Sequence, residues 1–248
     1  MPELPEVETI VKGLQTALPG KVFRRAQVMW ARSLATHEPG QFSTRLAGQQ
    51  VKKVERRGKF IVIALQCDTL LVHLRMSGDL QLVEEKSKDH PHDRVVFQFE
   101  DGTRLVFNDA RKFGRIWLVR DPLEVVGQLG PEPLDPALTT AEFTMRLHKH
   151  RRKIKPLLLD QTFLAGLGNI YTDEALHLAG LHPNRLAVSL DPEQSRRLLG
   201  AICAVLEEGI QRNGASIDWV YRGGDFQNFF KVYQRTGQAC PDCGAPMR

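Results

Sequence analysis

The chain has 248 residues, of which 42% are hydrophobic, so it can bury a core as one large domain or two smaller ones. Its formal net charge of +5 favours partners that carry negative charge. Its longest apolar runs, such as residues 60–65, are far shorter than the roughly 20 residues that span a bilayer. An acidic start excludes a secretory signal, and four scattered cysteines make a poor disulfide framework. We therefore expect a cytoplasmic protein that binds no membrane.

Apolar residues at helical spacing predict a first helix over residues 5–18, which a Pro-Gly pair ends. From residue 22 to about residue 119 the pattern changes to short strands. The clearest of them are residues 60–65, 69–74, 94–99 and 103–108. Asp101-Gly102 indicates a hairpin between the last two. Strands of this regularity predict a sandwich or a barrel.

The composition changes again at Gly-Pro-Glu-Pro, residues 130–133, which is typical of a linker between domains. Beyond it the pattern predicts four helices, at residues 139–149, 155–161, 169–179 and 191–211. Asp191 before Pro192 is a good helix start. The irregular tail has one predicted strand, at residues 229–234. We expect an all-β domain, then an all-α domain and a short C-terminal module.

Positive charge is concentrated in two runs, residues 52–59 and 148–155, which hold five bases each. Single basic runs are usually solvated faces, but two dense runs in different domains favour a groove for a nucleic-acid backbone. Near the second run, the glycine-rich turn at residues 165–169 precedes a predicted helix. Because helix N-termini offer free N–H groups, this turn predicts a phosphate clamp.

Pro2 becomes the N-terminal residue if the initiator methionine is removed. An α-amino group is less basic than a lysine, so a larger fraction is neutral and able to form an imine with a carbon electrophile. Glu3 beside it is a candidate for proton exchange. From these residues alone, the simpler explanation is that both are good first-turn residues that complement the helix dipole.

Through seven motifs in the same order, the sequence closely resembles bacterial formamidopyrimidine-DNA glycosylases. The motifs are MPELPEVET at the start, RRGK at 56–59, HLRMSG at 73–78, DARKFG at 109–114, GPEP at 130–133, IKP at 154–156 and GLGNIYTDEAL at 166–176. The related endonuclease VIII branch usually has Gly where this chain has Leu4. Leu4 thus favours the branch that acts on oxidised purines.

The resemblance implies an α+β fold in three parts. Residues 1–130 would form a catalytic β-sandwich led by a helix, residues 131–225 a helix-two-turns-helix DNA-binding domain, and residues 226–248 the start of a zinc-finger hairpin. The implied activity is a bifunctional DNA glycosylase and AP lyase. Its substrate would be damaged double-stranded DNA with 8-oxoguanine or formamidopyrimidines, and the lesion base would be flipped out of the stack.

The resemblance also implies roles for individual residues. Pro2 would attack C1′ and form a Schiff base, Glu3 would exchange a proton at the sugar ring oxygen, and Lys59 would contact a phosphate and protonate a leaving group. The implied DNA-binding residues are His73, Met76, His92, Arg111, Phe113, Arg152, Lys155 and Asn169. Of these, Met76, Arg111 and Phe113 would fill the gap that the flipped base leaves in the stack. A loop at residues 216–225 would fold over the flipped base.

Cys240 and Cys243 match the first of the two CxxC pairs in the family's zinc finger. The resemblance implies one zinc ion per chain, but a second pair is absent from these 248 residues. Two thiols alone do not close a tetrahedral site. We therefore expect the natural chain to continue beyond Arg248.

Three other hypotheses remain open on the sequence. One is an endonuclease VIII-like glycosylase for oxidised pyrimidines, and another is a DNA-binding relative without catalysis. The third is a metal-dependent nuclease built on His73, His90, His92 and Asp93. For the glycosylase we expect a monomer that works on DNA in the bacterial cytoplasm.

Overall fold

The computed structural model describes residues 1–216 and 223–247, which form two compact units. One unit holds residues 1–2 and 6–128, and the other holds residues 3–5, 129–216 and the described residues from Gly223 on. The helices are α1 (Leu4–Ala17), α2 (Pro39–Leu46), α3 (Leu123–Val126), α4 (Thr140–His148), α5 (Ile154–Leu158), α6 (Asn169–Leu178) and α7 (Pro192–Gln211). The strands are β1 (Phe23–Val28), β2 (Val51–Arg57), β3 (Phe60–Leu65), β4 (Thr69–His73), β5 (Gly78–Val83), β6 (Asp93–Phe99), β7 (Arg104–Asp109) and β8 (Arg115–Val119). Among these helices none has both the length and the apolar character needed to cross a membrane.

The strands of the first unit form two four-stranded antiparallel sheets. The spatial orders are β1-β6-β7-β5 and β2-β3-β4-β8. Apolar side chains from both sheets join one buried cluster, to which α1 adds Val7, Val11 and Leu14 from one face. The mixed α+β architecture with a helix-led sandwich is therefore confirmed.

The hairpin predicted at Asp101-Gly102 joins β6 to β7. The Phe99 N–H donates to the Thr103 carbonyl at 3.0 Å, and the Thr103 N–H donates to the Asp101 carboxylate at 2.9 Å. Gly102 has φ of +87°, a conformation that costs glycine little. Helix α2, which sequence patterning missed, lies between β1 and β2 and buries Phe42 and Leu46.

The four helices predicted after residue 130 are all present in the second unit, although α5 is shorter than predicted. Helix α7 begins with a full capping box, in which Asp191 accepts from Gln194 N–H and the Gln194 side chain accepts from Asp191 N–H. A Cβ atom on Gly209 would come within 2.4 Å of the Tyr171 ring, so glycine there allows α7 to approach α6 closely.

The prediction of a strand at residues 229–234 is wrong. A short 3₁₀ helix covers Phe226–Phe229, and the following residues turn. The backbone N–H groups that a strand would pair donate instead to one carboxylate, that of Glu174 in α6. The donors are Lys231, Val232 and Tyr233, at 2.9, 2.9 and 2.8 Å. Glu174 is 4% exposed, so these buried charge-assisted bonds fix the turn.

We expect Glu174→Gln to loosen the segment at residues 231–233. An amide cannot accept at both of its terminal atoms, so at least one N–H group loses its acceptor, at a cost of about 1–3 kcal/mol. Hydrogen exchange followed by mass spectrometry should show faster exchange in peptides that cover these residues. Glu207→Gln, at an exposed position of α7, is the matched control. Equal exchange in the two variants would show that the carboxylate does not hold the turn.

Candidate functional site

Glu3 is held at the N-terminus of α6 within the second unit. Its carboxylate accepts from the Gly168 N–H at 2.5 Å and from the Ile170 N–H at 3.0 Å, and its side chain is buried. A Cβ atom on Gly168 would lie 2.3 Å from the Glu3 carboxyl carbon, so only glycine allows this approach. The N–H groups and the helix dipole together stabilise a carboxylate at this place.

This contact corrects the phosphate clamp predicted at residues 165–169. The anion that occupies the Gly168 and Ile170 N–H groups is Glu3 of the same chain, so a phosphate does not find these two donors free. The turn also fixes the start of α1, because the Leu4 N–H donates to the Gly166 carbonyl at 3.0 Å. Asn169 is exposed, and its contact with DNA stays a prediction.

Pro2 is buried in the first unit, and Met1 before it is 53% exposed. Lys59, in the turn between β2 and β3, is only 5% exposed. A buried lysine is uncommon and marks a site where its charge is used. The catalytic roles of Pro2 and Lys59 stay predictions.

His73 ends β4 and is nearly buried. Its Nδ1 accepts from the Arg75 N–H at 3.0 Å, and its ring packs edge-on against Phe60 with centroids 4.7 Å apart. Burial, reinforced by the positive charges of Arg75 and Lys59, lowers the pKa of His73 to about 3. The imidazole is thus neutral at physiological pH. Because Nδ1 accepts a hydrogen bond, the ring proton lies on Nε2.

Met76, Arg111 and Phe113 are brought together by two loops of the first unit, one before β5 and one between β7 and β8. Met76 is 41% exposed and Phe113 is 54% exposed, although both are apolar. The Arg111 Nη1 atom lies 3.8 Å from the Met76 sulfur. Isolated exposed apolar residues need no explanation, but exposed apolar side chains on the two loops that also carry Arg111 indicate a contact surface.

The histidines and aspartate of the nuclease hypothesis do not assemble a metal site in the described part of the chain. The Asp93 carboxylate accepts from the His90 N–H and from the Asn108 side chain, at 2.8 and 2.7 Å. The exposed His92 lies with Nδ1 3.2 Å from the Arg94 guanidinium. Its predicted contact with DNA stays a prediction.

Two of the predicted DNA-binding residues of the second unit form ion pairs within the chain. Lys155 Nζ lies 2.7 Å from an oxygen of Asp173, and Arg152 Nη1 lies 2.6 Å from an oxygen of Asp160. Arg152 is about half exposed, so its guanidinium is accessible to a phosphate. The loop predicted at residues 216–225 falls partly on residues 217–222, which lie outside the described residues.

One group of side chains in the described chain has a spacing suited to a metal ion. Ligand atoms of His177 in α6, Cys240 and Asp242 all lie within 4.8 Å of one another. Thiolate, imidazole and carboxylate are all zinc ligands, so this donor set fits zinc. Hydrogen bonds from the Asp242 and Cys243 backbone N–H groups lower the pKa of the Cys240 thiol, which favours the thiolate that metals bind.

The other cysteines are placed differently. Cys243 is exposed and follows Cys240 in the same turn, whereas Cys203 lies on α7 and donates to the Pro133 carbonyl at 3.3 Å. Sequence patterning did not select His177 or Asp242 as ligands. No local pattern could have found His177, because it is more than 60 positions away from Cys240 along the chain.

Comparison with known proteins assigns the chain to a family. The model of the formamidopyrimidine-DNA glycosylase N-terminal domain matches residues 1–116, and that of the formamidopyrimidine-DNA glycosylase H2TH domain matches residues 129–220. The chain belongs to the formamidopyrimidine-DNA glycosylase family. The first match contains Pro2, Glu3 and Lys59, and the second contains Lys155 and Asn169.

Curated formamidopyrimidine-DNA glycosylases are similar along the whole chain. The protein of Pelotomaculum thermopropionicum is 44% identical, with 98% of this chain and 92% of that protein covered. That of Moorella thermoacetica is 43% identical, with 100% and 93% covered.

Solved structures show the same likeness. Wild-type Lactococcus lactis Fpg, in complex with DNA that contains N7-benzyl-Fapy-dG, matches with a TM-score of 0.91 at 34% identity, covering 99% of this chain and 93% of that one. A MutM complex with DNA that contains carbocyclic 8-oxo-G also has a TM-score of 0.91, at 35% identity, with 99% and 92% covered.

We expect His73→Asn to make the glycosylase less sensitive to acid. Asparagine keeps an acceptor for the Arg75 N–H but does not titrate. The folded chain holds the pKa of His73 near 3 against an ordinary value of 6.5, so the unfolded chain binds more protons between these values. Wild-type stability should therefore fall as the pH drops through this window, with a slope steeper than that of the variant by up to about 1.4 kcal/mol per pH unit.

Denaturant unfolding at several pH values within that window measures the two slopes. His182→Asn is the matched control, because His182 Nδ1 accepts from the Asn184 N–H in the same way at an exposed position. The change in slope for His73→Asn must exceed that of the control. Equal slopes would mean that His73 is not buried as a neutral ring.

Proposed function

We propose that this protein is a DNA glycosylase and AP lyase of base excision repair, which removes 8-oxoguanine and formamidopyrimidines from duplex DNA. The observation that carries the proposal is the buried Glu3 carboxylate, fixed by two backbone N–H groups at the start of α6. These hydrogen bonds fix the position of Glu3, which follows directly on Pro2, the proposed nucleophile. The relatives' name and the lesion DNA in the solved complexes support the substrate class.

The Pro2 amine is the group proposed to start the reaction, once Met1 has been removed. Its lone pair attacks C1′ of the lesion nucleotide, and the bond from C1′ to the base nitrogen breaks with its electron pair on the base. The attacking nitrogen then loses its proton and the departing base gains one, and opening of the sugar ring between C1′ and O4′ leaves an iminium between Pro2 and C1′. The Schiff base makes the proton at C2′ acidic, so the 3′ phosphate leaves by β-elimination and the 5′ phosphate by δ-elimination.

Glu3 and Lys59 are the proposed proton carriers. Glu3 serves the ring oxygen, which needs a proton when the C1′–O4′ bond opens. The Gly168 and Ile170 N–H groups fix the position of its carboxylate at the start of α6. Lys59 contacts a phosphate beside the lesion and protonates the leaving group of β-elimination.

The proposed DNA contacts divide by chemistry. Met76, Arg111 and Phe113, called here the insertion group, enter the gap left by the flipped base. A neutral His73 that carries its proton on Nε2 is a hydrogen-bond donor, and a phosphate oxygen accepts from such a group. Further phosphate and backbone contacts are assigned to His92, Arg152, Lys155 and Asn169. The charged residues among them set the salt dependence of binding.

We further propose one structural zinc ion per chain in the C-terminal module. Cys240 and Cys243 supply thiolates, and His177 and Asp242 are the donors already close to Cys240. The ion would link α6 to the turn that carries both cysteines and take no part in the reaction.

The proposed division of labour follows the predicted domains. Residues 1–130 perform the chemistry, residues 131–225 bind the DNA backbone, and residues 226–248 begin the zinc-bearing module. The protein acts as a monomer on chromosomal DNA, in the bacterial cytoplasm.

We expect borohydride to trap a covalent complex between the wild-type enzyme and lesion-containing duplex, because reduction fixes the Schiff base. Mass spectrometry of the digested complex should place the adduct on the N-terminal Pro2 peptide, with Met1 absent. The Pro2→Gly variant should lose most base excision. Pro19→Gly, at the opposite end of α1, is the matched control. An adduct on a lysine, or no adduct with the wild type, would contradict the mechanism.

We expect the purified protein to contain about one zinc ion per chain, and Cys240→Ser to lose it, because zinc binds thiolate and not a serine hydroxyl. Elemental analysis by mass spectrometry measures both. Cys203→Ser should keep the metal, since the Cys203 thiol on α7 donates to the Pro133 carbonyl instead of facing the candidate site. A Cys240→Ser protein with undiminished zinc would show that the ion, if present, lies elsewhere.

A further inference from the structure

We propose that Asp109 is a positioning residue, which holds the insertion group in its DNA-ready arrangement before DNA is bound. This inference rests on the proposed function, because it concerns how that site is built. Asp109 is the last residue of β7 and is fully buried. It is not a member of the insertion group, and sequence patterning assigned it no role.

The Asp109 carboxylate connects the two loops that carry the insertion group. One oxygen accepts from the Ser77 hydroxyl, in the loop that presents Met76. The same oxygen accepts from the Arg111 N–H at 3.2 Å, and the other accepts from the Gly114 N–H at 2.7 Å. These two donors bracket the turn that presents Phe113. One buried side chain thus fixes the separation between the loops.

Further contacts complete the connection. The Ser77 hydroxyl oxygen also accepts from the Arg111 N–H at 3.0 Å, and the backbone carbonyl of Asp109 accepts from Arg94 Nε at 2.7 Å. A Cβ atom on Gly114 would lie 3.1 Å from the Asp109 carboxylate and 2.3 Å from the Phe107 ring. Glycine at that position therefore allows the turn to close onto the carboxylate.

Both loops are held in a conformation that residues other than glycine seldom adopt. Arg75 has φ of +56° and Lys112 has φ of +62°, and each immediately precedes an apolar member of the insertion group. Such backbone persists only where surrounding contacts determine it. His73 supplies one, through the Arg75 N–H, and the Trp30 ring, 4.2 Å from Lys112 Nζ, supplies another.

Preorganisation explains why the strain is kept. Met76 and Phe113 are exposed to water, so their apolar side chains gain no free energy from burial in this conformation. The loops nevertheless keep both side chains on the surface. Groups that are already placed lose less conformational freedom when they enter the DNA stack. Asp109 acts through these side chains and does not touch the reacting atoms.

The test compares Asp109→Asn and Ser77→Ala with the wild type. Asparagine places an NH₂ group against a backbone N–H donor, and alanine removes the hydroxyl that joins the loops. Asp68→Asn is the matched control, because Asp68 is also a buried carboxylate of the first unit but binds Arg45 and Gln49.

Two measurements separate positioning from chemistry. The first is single-turnover excision of 8-oxoguanine from a duplex that carries 2-aminopurine beside the lesion, whose fluorescence reports unstacking. The second is borohydride trapping on a preformed abasic site, which needs no base to be displaced. For Asp109→Asn and Ser77→Ala we expect excision to slow by about tenfold or more and the fluorescence step to shrink, with trapping within about twofold of wild type.

The outcomes are distinguishable. Excision and fluorescence at wild-type level in both variants would overturn the positioning role, as would equal losses in Asp68→Asn or a parallel loss of trapping. If Asp109→Asn does not fold, Ser77→Ala decides alone, because it leaves the buried carboxylate in place. If the wild type itself traps no abasic DNA, the proposed function fails, whereas the fluorescence step still reports on Asp109.

Discussion

Buried carboxylates that accept backbone N–H groups are the interaction on which the functional part of this structure depends. A buried N–H outside a strand ladder or a helix interior must still find an acceptor. Glu3 provides it at the start of α6, Asp109 in the turn after β7, and Glu174 in the segment after the 3₁₀ helix. Each of the three is at most 4% exposed. An ionised carboxylate offers several lone pairs in a small volume, so one side chain can hold a whole turn.

Each of these carboxylates fixes a different functional part. Glu3 is itself a proposed proton carrier, so the N–H groups that bind it also set its position. Asp109 orders the loops of the insertion group, and Glu174 orders the chain that leads to Cys240. The same chemistry thus appears in the proposed catalytic site, in the loops proposed to contact DNA and in the candidate metal module. Loops placed in this way are as well determined as the strands that carry them.

Charge is used more selectively than the net value of +5 implies. In the second basic run, Arg152 and Lys155 are paired with aspartates, which reduces the positive potential offered to a phosphate backbone. In the first unit, burial keeps His73 neutral, and the positive charges of Arg75 and Lys59 reinforce this effect. A neutral imidazole beside two cations can donate to a phosphate without adding to their mutual repulsion.

The sequence determined the elements whose signals are local, and the motifs that carry the family resemblance. Apolar periodicity predicted α1 and the main strands, Asp101-Gly102 predicted its hairpin, and Asp191 predicted the start of α7. Local patterns gave a wrong prediction at residues 229–234, where the backbone N–H groups donate to Glu174 and not to a neighbouring strand. They were also wrong at residues 165–169, where we expected free N–H groups but Glu3 accepts from two of them. Only the tertiary structure decided those cases, because Glu3 and Gly168 are 165 positions apart in the chain. Which acceptor a backbone N–H meets depends on how distant segments pack, and no local pattern contains that information.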